Sequence, residues 1–582
     1  MTFRFIDQVI GDYMLNLDAL VPNTDLYTTL LFQYNGTFNV EANRFGSMDD
    51  AADRFNAFLR VAKAEHSSIA ITPEYSCPWR TIRWILDNAD NRPGDSKLWA
   101  LGCVSITPAE LRAIREQYQS ENVIIHFDET VLDRGVNVLL NPLCYVFNMR
   151  SDVTGQLKLV LLIQFKTEHM GVWATDAELE RYIPGEEIYV LRNGAGSIAL
   201  FTMICSETDT FQISEDFRMH LDHRWNENPF IILNIQMNPQ PTATFFKTFR
   251  NGILNYSNKD IITLNWSSES KKANGHDLLA YSKSSISYGS HQMDFVNEQK
   301  FLDNHFKGLY YTNKQQDRHV YFLNGKQQVF LISHRKPVSG GHSPSMHRRS
   351  GPVATKLFTW DVPAALFIEN ESTSDGFIEF LDAHNCDSAV LRDSGTTFIE
   401  KERMANISCG LVKSKSPDRV WHTVDKLSSF LLEDDEIIRR LTFVHDKGGD
   451  ESRQKYLEAI DTINKLIIPT SALFPTNHAV FAGHCDVVMF RGSGPNKYKF
   501  NLVTIDGTQK ATAAYIGRNT LAKAENTVKS LRELFDEEDQ ARKRVIVWYK
   551  RDAQTIVAVC DIRKPTLRDD SKSKPISISR QP

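Results

Sequence analysis

The sequence predicts a mixed α/β fold in which two packed sheets are flanked by helices, followed by a separate C-terminal α+β domain. Through residues 21–335, apolar runs with strand character alternate with helical patterns, and some of the strands are joined by hairpin turns. That mixture predicts mixed sheets and not a purely parallel one. A stretch rich in Gly, Ser, Pro and basic residues then separates this part from a region with a different pattern of helices and strands.

The length also indicates more than one domain. The chain has 582 residues, whereas a single hydrophobic core rarely serves more than about 250–300 residues. The predicted parts are an N-terminal extension (1–20), a first domain (21–335), a linker (336–355), a C-terminal α+β domain of unknown role (356–565) and a disordered tail (566–582).

Within the first domain, strands and helices follow one another closely. The predicted strands cover 26–33, 67–73, 98–105, 230–237 and 261–266, and the predicted helices cover 48–66, 78–88, 107–118, 211–222 and 242–257. The helix at 107–118 begins with a capping box, because Thr107 is followed three residues later by Glu110.

Hairpins interrupt this alternation at three places. The strands 138–148 and 157–165 flank a turn that contains Asp152 and Gly155. A second hairpin, 187–205, turns at Asn193-Gly194. The last two apolar runs, 319–325 and 327–334, are predicted to pair as a closing hairpin.

The C-terminal part combines long helical patterns with short apolar strands. Helices are predicted at 452–467 and 526–543, and strands at 479–490, 499–507, 544–550 and 555–562. We expect a separate α+β domain from this pattern.

Composition excludes several classes of protein. Apolar residues make up 42% of the chain and charged residues 24%, and the net charge is −5, so no global charge favours binding to nucleic acid or to a membrane surface. No apolar run approaches the roughly 20 residues of a membrane span, and the N-terminus does not resemble a signal peptide. The eight cysteines form no C-x-x-C pair, which predicts reduced thiols in a cytoplasmic protein and no metal site.

Three polar residues stand at the ends of strand-like apolar runs. They are Glu74 in ITPEYS, Lys166 in LIQFKTEH and Cys205 in ALFTMICSET. A strand end can present a side chain to a cleft while its neighbours stay buried. A thiol can act as a nucleophile, a buried carboxylate as its base, and an ammonium as a clamp for developing negative charge.

The order and spacing of Glu74, Lys166 and Cys205 resemble the carbon–nitrogen hydrolase (nitrilase) superfamily. The resemblance covers roughly residues 20–335 and implies a four-layer αββα sandwich that forms homodimers or higher homo-oligomers. It also implies that Glu178, which precedes Pro184-Gly185, is a second glutamate that orients the lysine and the substrate. Further positions that resemble the family are Gln33, Asn43, Thr154-Gly155, Asn234, Asn265 and the segment 281–290.

Other residues are candidates for the same site. The resemblance and the chemistry together imply that the backbone N–H of Ser206 helps to bind the oxyanion, and Trp79 and Trp173 are candidates for binding substrate. Glu168 and Glu180 are alternatives to Glu178 as the second carboxylate.

The resemblance implies an enzyme that hydrolyses non-peptide carbon–nitrogen bonds (amide, carbamoyl or nitrile) through a cysteine thioester, with no cofactor. Two alternatives remain open. In one, the fold serves as an effector or scaffold of a signalling or antiviral-defence assembly, with the C-terminal domain binding a partner protein. In the other, the first domain is the glutaminase half of an ATP-dependent amidotransferase. The segment Ser339-Gly340-Gly341-His342-Ser343 resembles an ATP-pyrophosphatase loop but lacks its aspartate, and a plain linker is the favoured interpretation.

Overall fold

The structure is a computed structural model. It describes residues 1–22, 24–41, 44–135, 138–170, 176–211, 225, 227–241, 243–255, 258–279, 284–289, 292–293, 303–315, 318–337, 348–349, 351–371, 377–385, 392, 401, 405–411, 450–467, 475–481, 485–486, 501–504, 506, 508–533 and 544–560. The first compact unit runs from Met1 to Phe380, and the second contains the described residues from Leu381 onward, apart from Asp450.

The strands are numbered β1 to β28 along the chain. They are β1 Thr2–Phe5, β2 Tyr13–Leu15, β3 Leu26–Gln33, β4 Thr37–Glu41, β5 Arg44–Ser47, β6 Ile69–Cys77, β7 Leu98–Cys103, β8 Val123–Phe127, β9 Pro142–Ser151, β10 Leu157–Phe165, β11 Glu187–Arg192, β12 Ala199–Ile204, β13 Phe230–Ile235, β14 Lys259–Leu264, β15 Lys271–Lys272, β16 Ser285–Gly289, β17 Gln292–Met293, β18 Leu309–Gln315, β19 Arg318–Leu323, β20 Gln328–Arg335, β21 Arg348–Arg349, β22 Val353–Asp361, β23 Leu366–Glu369, β24 Cys485–Asp486, β25 Leu502–Thr504, β26 Lys510–Arg518, β27 Val545–Lys550 and β28 Ile556–Val559.

The α-helices are numbered in the same way. They are α1 Ile6–Val9, α2 Ala52–Ala64, α3 Trp79–Asp87, α4 Pro108–Tyr118, α5 Asp176–Arg181, α6 Glu207–Thr210, α7 Thr244–Ile253, α8 Phe377–Ala383, α9 Asp450–Ile467 and α10 Leu521–Arg532. Short 3-10 turns cover Asp18–Leu20, Ala89–Asn91, Glu129–Asp133 and Thr476–Phe481. Helix α4 has the predicted capping box between Thr107 and Glu110. None of the helices in the described part of the chain is long and apolar enough to cross a bilayer.

Two large mixed sheets form the first unit. One has the order β23-β22-β20-β3-β6-β7-β9-β10-β8, with β2 beside β9, and the other has the order β1-β11-β12-β13-β14-β16-β19-β18. The two strand triplets β3-β6-β7 and β12-β13-β14 are each parallel inside these sheets. The predicted mixed α/β architecture is therefore confirmed.

Alternating side chains show how the layers pack. On β3, Phe32 contacts Phe55 and Phe58 of helix α2, while on β12, Phe201 belongs to the same apolar cluster as Phe249 of helix α7. The opposite faces of the two sheets meet, since Gln164 Nε2 of β10 donates to the carbonyl of Thr202 in β12 at 3.0 Å. This arrangement is the predicted four-layer αββα sandwich, and it brings the ends of β6, β10 and β12 to one region.

Two details of strand pairing in the first unit differ from the sequence-based expectations. Residues 1–20 do not precede the sandwich, because β1 pairs with β11 in one sheet and β2 pairs with β9 in the other. The runs 319–325 and 327–334 do not form a hairpin. Instead β19 pairs with β16 and β18 in the eight-stranded sheet, and β20 pairs with β3 and β22 in the ten-stranded sheet.

The crossing between the sheets is held by Gln33. Its Nε2 donates to the carbonyl oxygens of Asn324 (2.5 Å) and Lys326 (2.8 Å), which lie in the turn between β19 and β20. The sequence Asn324-Gly325 is typical of a hairpin turn. In the structure, Gln33 at the end of β3 binds this turn, and the chain crosses there from the eight-stranded sheet to the ten-stranded sheet.

The first unit also extends past the expected boundary at 335. Strand β22 pairs with β20, and β23 pairs with β22, so residues 353–369 widen the ten-stranded sheet. Part of the predicted linker, 338–347, lies outside the described residues, and so does the segment Ser339–Ser343 that resembles an ATP-pyrophosphatase loop.

The second unit contains a five-stranded sheet in the order β24-β25-β26-β27-β28. Helix α10 buries Ala524, Val528 and Leu531 on one face, at the i, i+4 and i+7 spacing of an amphipathic helix. The predicted helices at 452–467 and 526–543 correspond to α9 and α10, the latter shifted toward the N-terminus. Strand β26 was not predicted, and residues 561–582 lie outside the described part of the chain.

Candidate active site

Glu74 lies in an interruption of strand β6. The parallel pairing of β6 with β7 is regular up to Thr72 and shifts before Cys77, and Tyr75 takes a left-handed backbone with φ of 59°. Gly102 of β7 allows this chain path, because a Cβ there would lie 2.7 Å from the Pro73 carbonyl carbon and 2.9 Å from the Glu74 Cα. The Glu74 carbonyl in turn accepts from the indole Nε1 of Trp266 at 2.7 Å.

Lys166 follows the last residue of β10, and the hairpin β9–β10 sets its position. The antiparallel register continues past the strand ends, so the Lys166 N–H donates to the Asn141 carbonyl at 2.9 Å. The Lys166 carbonyl accepts from the N–H of Gly185 at 2.8 Å and from the hydroxyl of Tyr182. Gly185 is required there, since a Cβ would lie 2.7 Å from the carbonyl oxygen of Phe165.

The two charged groups form a buried ion pair. Lys166 Nζ lies 2.9 Å from Glu74 Oε1, and the side chains are 0% and 1% exposed. Asn141 Nδ2 donates to the same oxygen at 2.7 Å, and the Met237 backbone N–H donates to Glu74 Oε2 at 2.9 Å. Both carboxylate oxygens are therefore hydrogen-bonded, which a buried charge requires.

Cys205 stands directly after β12 in a left-handed conformation with φ of 46°. A non-glycine residue held there costs about 1–3 kcal/mol, and such strain occurs at functional sites. Its N–H donates to the Ile235 carbonyl at 2.9 Å, and its Sγ lies 4.0 Å from the Met237 carbonyl oxygen. The thiol also interacts with the Glu74 carboxylate and with the charge of Lys166, so the three predicted residues come together.

Electrostatics decide the resting state of the thiol and the amine. Burial raises the pKa of the Cys205 thiol, the Glu74 carboxylate raises it further, and Lys166 opposes the rise only in part. Burial is the largest single influence and would lower the pKa of the Lys166 ammonium, but Glu74, Cys205 and Glu178 together outweigh burial and hold that pKa above its usual range. The thiol is therefore protonated and the lysine is charged at neutral pH, so attack by sulfur needs a base.

Glu178 lies close to this group. Its residue is buried in helix α5, and its Oε1 accepts from the Met170 N–H at 2.9 Å. Burial raises the pKa of the Glu178 carboxyl, and the Lys166 ammonium opposes that rise. Of the alternatives, Glu180 is exposed and Glu168 is half-buried.

Glu207 was not among the predicted site residues, yet it joins two strand ends. It accepts from the Thr167 N–H at 2.7 Å and from the Ile204 N–H at 2.5 Å. Thr167 follows Lys166 and Ile204 precedes Cys205, so one carboxylate ties the lysine to the nucleophile. Burial raises the pKa of Glu207 to about 7, although the hydrogen bonds from Ile204 and Thr167 oppose this.

A cavity of about 410 Å³ opens from the nucleophile, and Cys205 and Ser206 form part of its wall. The Ser206 hydroxyl donates to the His169 carbonyl at 2.5 Å. Trp79 is not among the described residues that line the cavity; its indole N–H bonds instead to the Val104 carbonyl at 3.0 Å. Trp173 and Asn43 lie outside the described residues.

Two residues of the site that were not predicted, Asn141 and Glu207, could have been found from the sequence. The predicted hairpin register places Asn141 opposite Lys166, so its contact with the site followed from the turn alone. Glu207 follows the nucleophile by two residues. The Met237 amide and the Trp266 indole had no such signal, because they reach Glu74 from the opposite sheet. Within the described residues, no group of three or more His, Cys, Asp or Glu side chains could hold a metal ion.

No known family model matches this sequence, and no curated protein matches it. Solved structures do show similarity. A mutant of the Nesterenkonia AN1 amidase from the nitrilase superfamily matches with 12% identity and a TM-score of 0.25, covering 46% of this chain and 84% of that one. XC1258 from Xanthomonas campestris, a CN-hydrolase superfamily protein with an arsenic adduct in its active site, matches with 15% identity and a TM-score of 0.26, covering 45% and 83%.

Another similar structure has a longer chain. The glutamine-dependent NAD⁺ synthetase from Acinetobacter baumannii matches with 13% identity and a TM-score of 0.25, covering 69% of this chain and 57% of that one. The first two structures are of proteins from the superfamily that the sequence motifs resemble.

Proposed function

We propose that this protein is a carbon–nitrogen hydrolase that cleaves a non-peptide amide through a thioester on Cys205. The observation that carries the proposal is that Cys205 and Glu74 meet at Met237. Cys205 Sγ lies 4.0 Å from the Met237 carbonyl oxygen, the Met237 N–H donates to Glu74 Oε2 at 2.9 Å, and Glu74 is itself paired with Lys166 at 2.9 Å. A nucleophile, a base and a cation thus meet beside a cavity. An unused buried ion pair would be a costly arrangement.

In the first half-reaction, Glu74 takes the proton from the thiol while Sγ attacks the amide carbon. The carbonyl oxygen becomes an oxyanion, which the Lys166 ammonium and the Ser206 N–H stabilise. Among the described residues, no acceptor takes that Ser206 N–H, so it is free to serve a ligand. Protonated Glu74 then gives its proton to the leaving nitrogen, the carbon–nitrogen bond breaks, and the thioester remains.

In the second half-reaction, Glu74 takes a proton from water, and the resulting hydroxide attacks the thioester carbon. The same two groups stabilise the second oxyanion. The carbon–sulfur bond breaks, and the thiolate recovers the proton from Glu74. The sum is one amide and one water consumed, and one acid and one amine released.

Glu178 is proposed as a second carboxylate that keeps Lys166 charged and in place. Its burial and its electrostatic interaction with Lys166 support this role. Lys166 then faces two carboxylates and one oxyanion site, so it stays protonated through both half-reactions.

The test compares wild type with Cys205→Ala, with Cys560→Ala as a control thiol outside the site. Wild type and Cys560→Ala should hydrolyse simple aliphatic amides, and intact mass spectrometry after acid quenching should detect an acyl adduct. Cys205→Ala should fold, lose turnover and show no adduct. Turnover by Cys205→Ala at the wild-type rate would contradict the proposal, as would a wild type that neither turns over nor becomes acylated with any amide; the latter result would favour the scaffold alternative.

A further inference from the structure

The cavity beside Cys205 has a wall of mixed character. Its volume of about 410 Å³ is within the 300–1,000 Å³ range of small-molecule sites. Most of the wall is apolar, and it includes Phe38, Val40, Met170, Met237, Pro239 and Phe245. An extended hydrocarbon segment would bury its surface here, at a gain of about 25 cal/mol per Å².

One charged residue lines this cavity among the residues that the structure describes, and it is Lys272. It lies on the two-residue strand β15, which pairs with β4 at Phe38, a residue of the same wall. Lys272 is exposed whereas Cys205 is buried, so the lysine belongs to the solvent-facing end of the wall. A ligand that reaches from Cys205 to the mouth would therefore end near a cation.

Lys272 differs from the neighbouring lysine in its ion pairing. Lys271 is paired with Asp277, and adjacent strand residues point to opposite faces. No carboxylate of the described chain lies within ion-pair distance of Lys272. The two lysines thus differ in one respect that matters here: Lys271 has an internal partner, and Lys272 faces the cavity without one.

We propose that the cavity selects amides whose acyl part is an apolar chain ending in an anion, which pairs with Lys272. This inference rests on the proposed hydrolysis at Cys205. The acyl part is assigned to the cavity because it stays bonded to Sγ through both half-reactions, whereas the amine leaves after the first. Monoamides of dicarboxylic acids with a short methylene chain have this chemistry.

The same wall disfavours a cationic or zwitterionic acyl group. The described lining contains no carboxylate, so an ammonium carried into the cavity would lose water without gaining a partner. Glutamine differs from glutaramate only by its α-ammonium, and it should be the poorer substrate. The glutaminase alternative predicts the reverse order.

The experiment measures kcat/KM for adipic acid monoamide, for hexanamide and for the ω-amino derivative of hexanamide. In wild type the anionic amide should be preferred over the neutral one by about tenfold, and the cationic one should be the poorest. Lys272→Met should remove that tenfold preference. Lys271→Met, the matched control, should keep it. Equal rates for the anionic and neutral amides in wild type would overturn the proposal, as would equal effects of the two lysine variants.

Binding to Cys205→Ala separates this inference from the proposed function. Calorimetry should give tighter binding of adipic acid monoamide than of hexanamide, and Lys272→Met in the same background should equalise them. If wild type hydrolyses none of the amides and takes up no acyl group, the proposed function fails, while this binding preference would still support the selectivity. If the amides are hydrolysed and neither rates nor binding distinguish them, the selectivity fails and the function stands.

Discussion

Lys166 Nζ and Glu74 Oε1 lie 2.9 Å apart, and neither side chain is more than 1% exposed. Removing two charges from water is expensive, and their mutual attraction offsets that cost only when the remaining polar atoms are also satisfied. Here the Asn141 side chain and the Met237 N–H donate the remaining hydrogen bonds to the Glu74 carboxylate. Each charge of the pair would therefore destabilise the fold if it were buried without the other.

Lys166→Met should accordingly destabilise the first unit by about 3–5 kcal/mol, because it leaves the Glu74 carboxylate buried without its cation. Adding Glu74→Gln removes that orphan charge, so the double variant should be more stable than Lys166→Met alone. Neither variant should hydrolyse amides. Urea unfolding followed by hydrogen exchange of peptides from β6 and β10 measures the stabilities. A double variant that is less stable than Lys166→Met would contradict this account of the pair.

Gly102→Ala should reduce activity strongly, although residue 102 is not expected to touch the substrate. Its Cβ would lie 2.7 Å from the Pro73 carbonyl carbon and 2.9 Å from the Glu74 Cα, and backbone atoms at that distance must shift. We expect a loss of at least a hundredfold in kcat/KM, since small displacements of catalytic groups have effects of this size. In the control Gly94→Ala, the added Cβ would lie 3.7 Å from Lys97 Cγ, at ordinary van der Waals distance, and activity should be retained. Similar kinetics for the two alanine variants would show that Gly102 does not position Glu74.

The positions of the three central residues could be predicted because each follows a continuous apolar run. Such runs predict strands from local sequence alone, and a polar side chain at the end of a strand has a defined location at the edge of a sheet. The β9–β10 hairpin is equally local, and its turn fixes the register that brings Asn141 opposite Lys166. These features needed no knowledge of which strands become neighbours.

Pairing between distant strands could not be predicted in the same way. The turn at Asn324-Gly325 has hairpin chemistry, but whether β20 pairs with β19 or crosses to β3 depends on side chains far away in sequence. The extension by β22 and β23 has the same origin, since edge pairing leaves no local pattern. Strand β26 was missed because its sequence, KATAAYIGR, is rich in alanine, which has low β propensity.

Gln33 offers a test of the crossing between the sheets. Gln33→Ala would leave the carbonyls of Asn324 and Lys326 without this donor, and a buried acceptor that loses its partner costs about 1–3 kcal/mol. We expect a loss of stability of that size, with faster hydrogen exchange in β19 and β20. The matched control is Gln156→Ala, which removes an exposed hydrogen bond to Asn122 and should cost less than about 0.5 kcal/mol. Equal losses in both variants would mean that Gln33 does not hold the crossing.

Glu207 should make the stability of the first unit depend on pH in an unusual direction. Burial raises its pKa from 4.5 to about 7 in the folded chain, so between these values the folded state binds more protons than the unfolded state. Unfolding free energy must then fall as pH rises. The contribution is complete below about pH 4.5 and is lost as pH passes 7, at up to about 1.4 kcal/mol per pH unit.

Glu207→Gln cannot titrate, so its stability should change less than that of wild type between pH 5 and pH 7. It should also be less stable at pH 5, because the amide replaces one of the two oxygens that accept from the Ile204 and Thr167 N–H groups with an NH2 group, which only donates. Urea unfolding at a series of pH values measures both effects. Glu121→Gln, at an exposed position, is the control and should follow the wild-type curve. A Glu207→Gln curve parallel to wild type across this range would show that the folded carboxyl titrates near its ordinary pKa, and that its burial between the lysine and the nucleophile does not shift it.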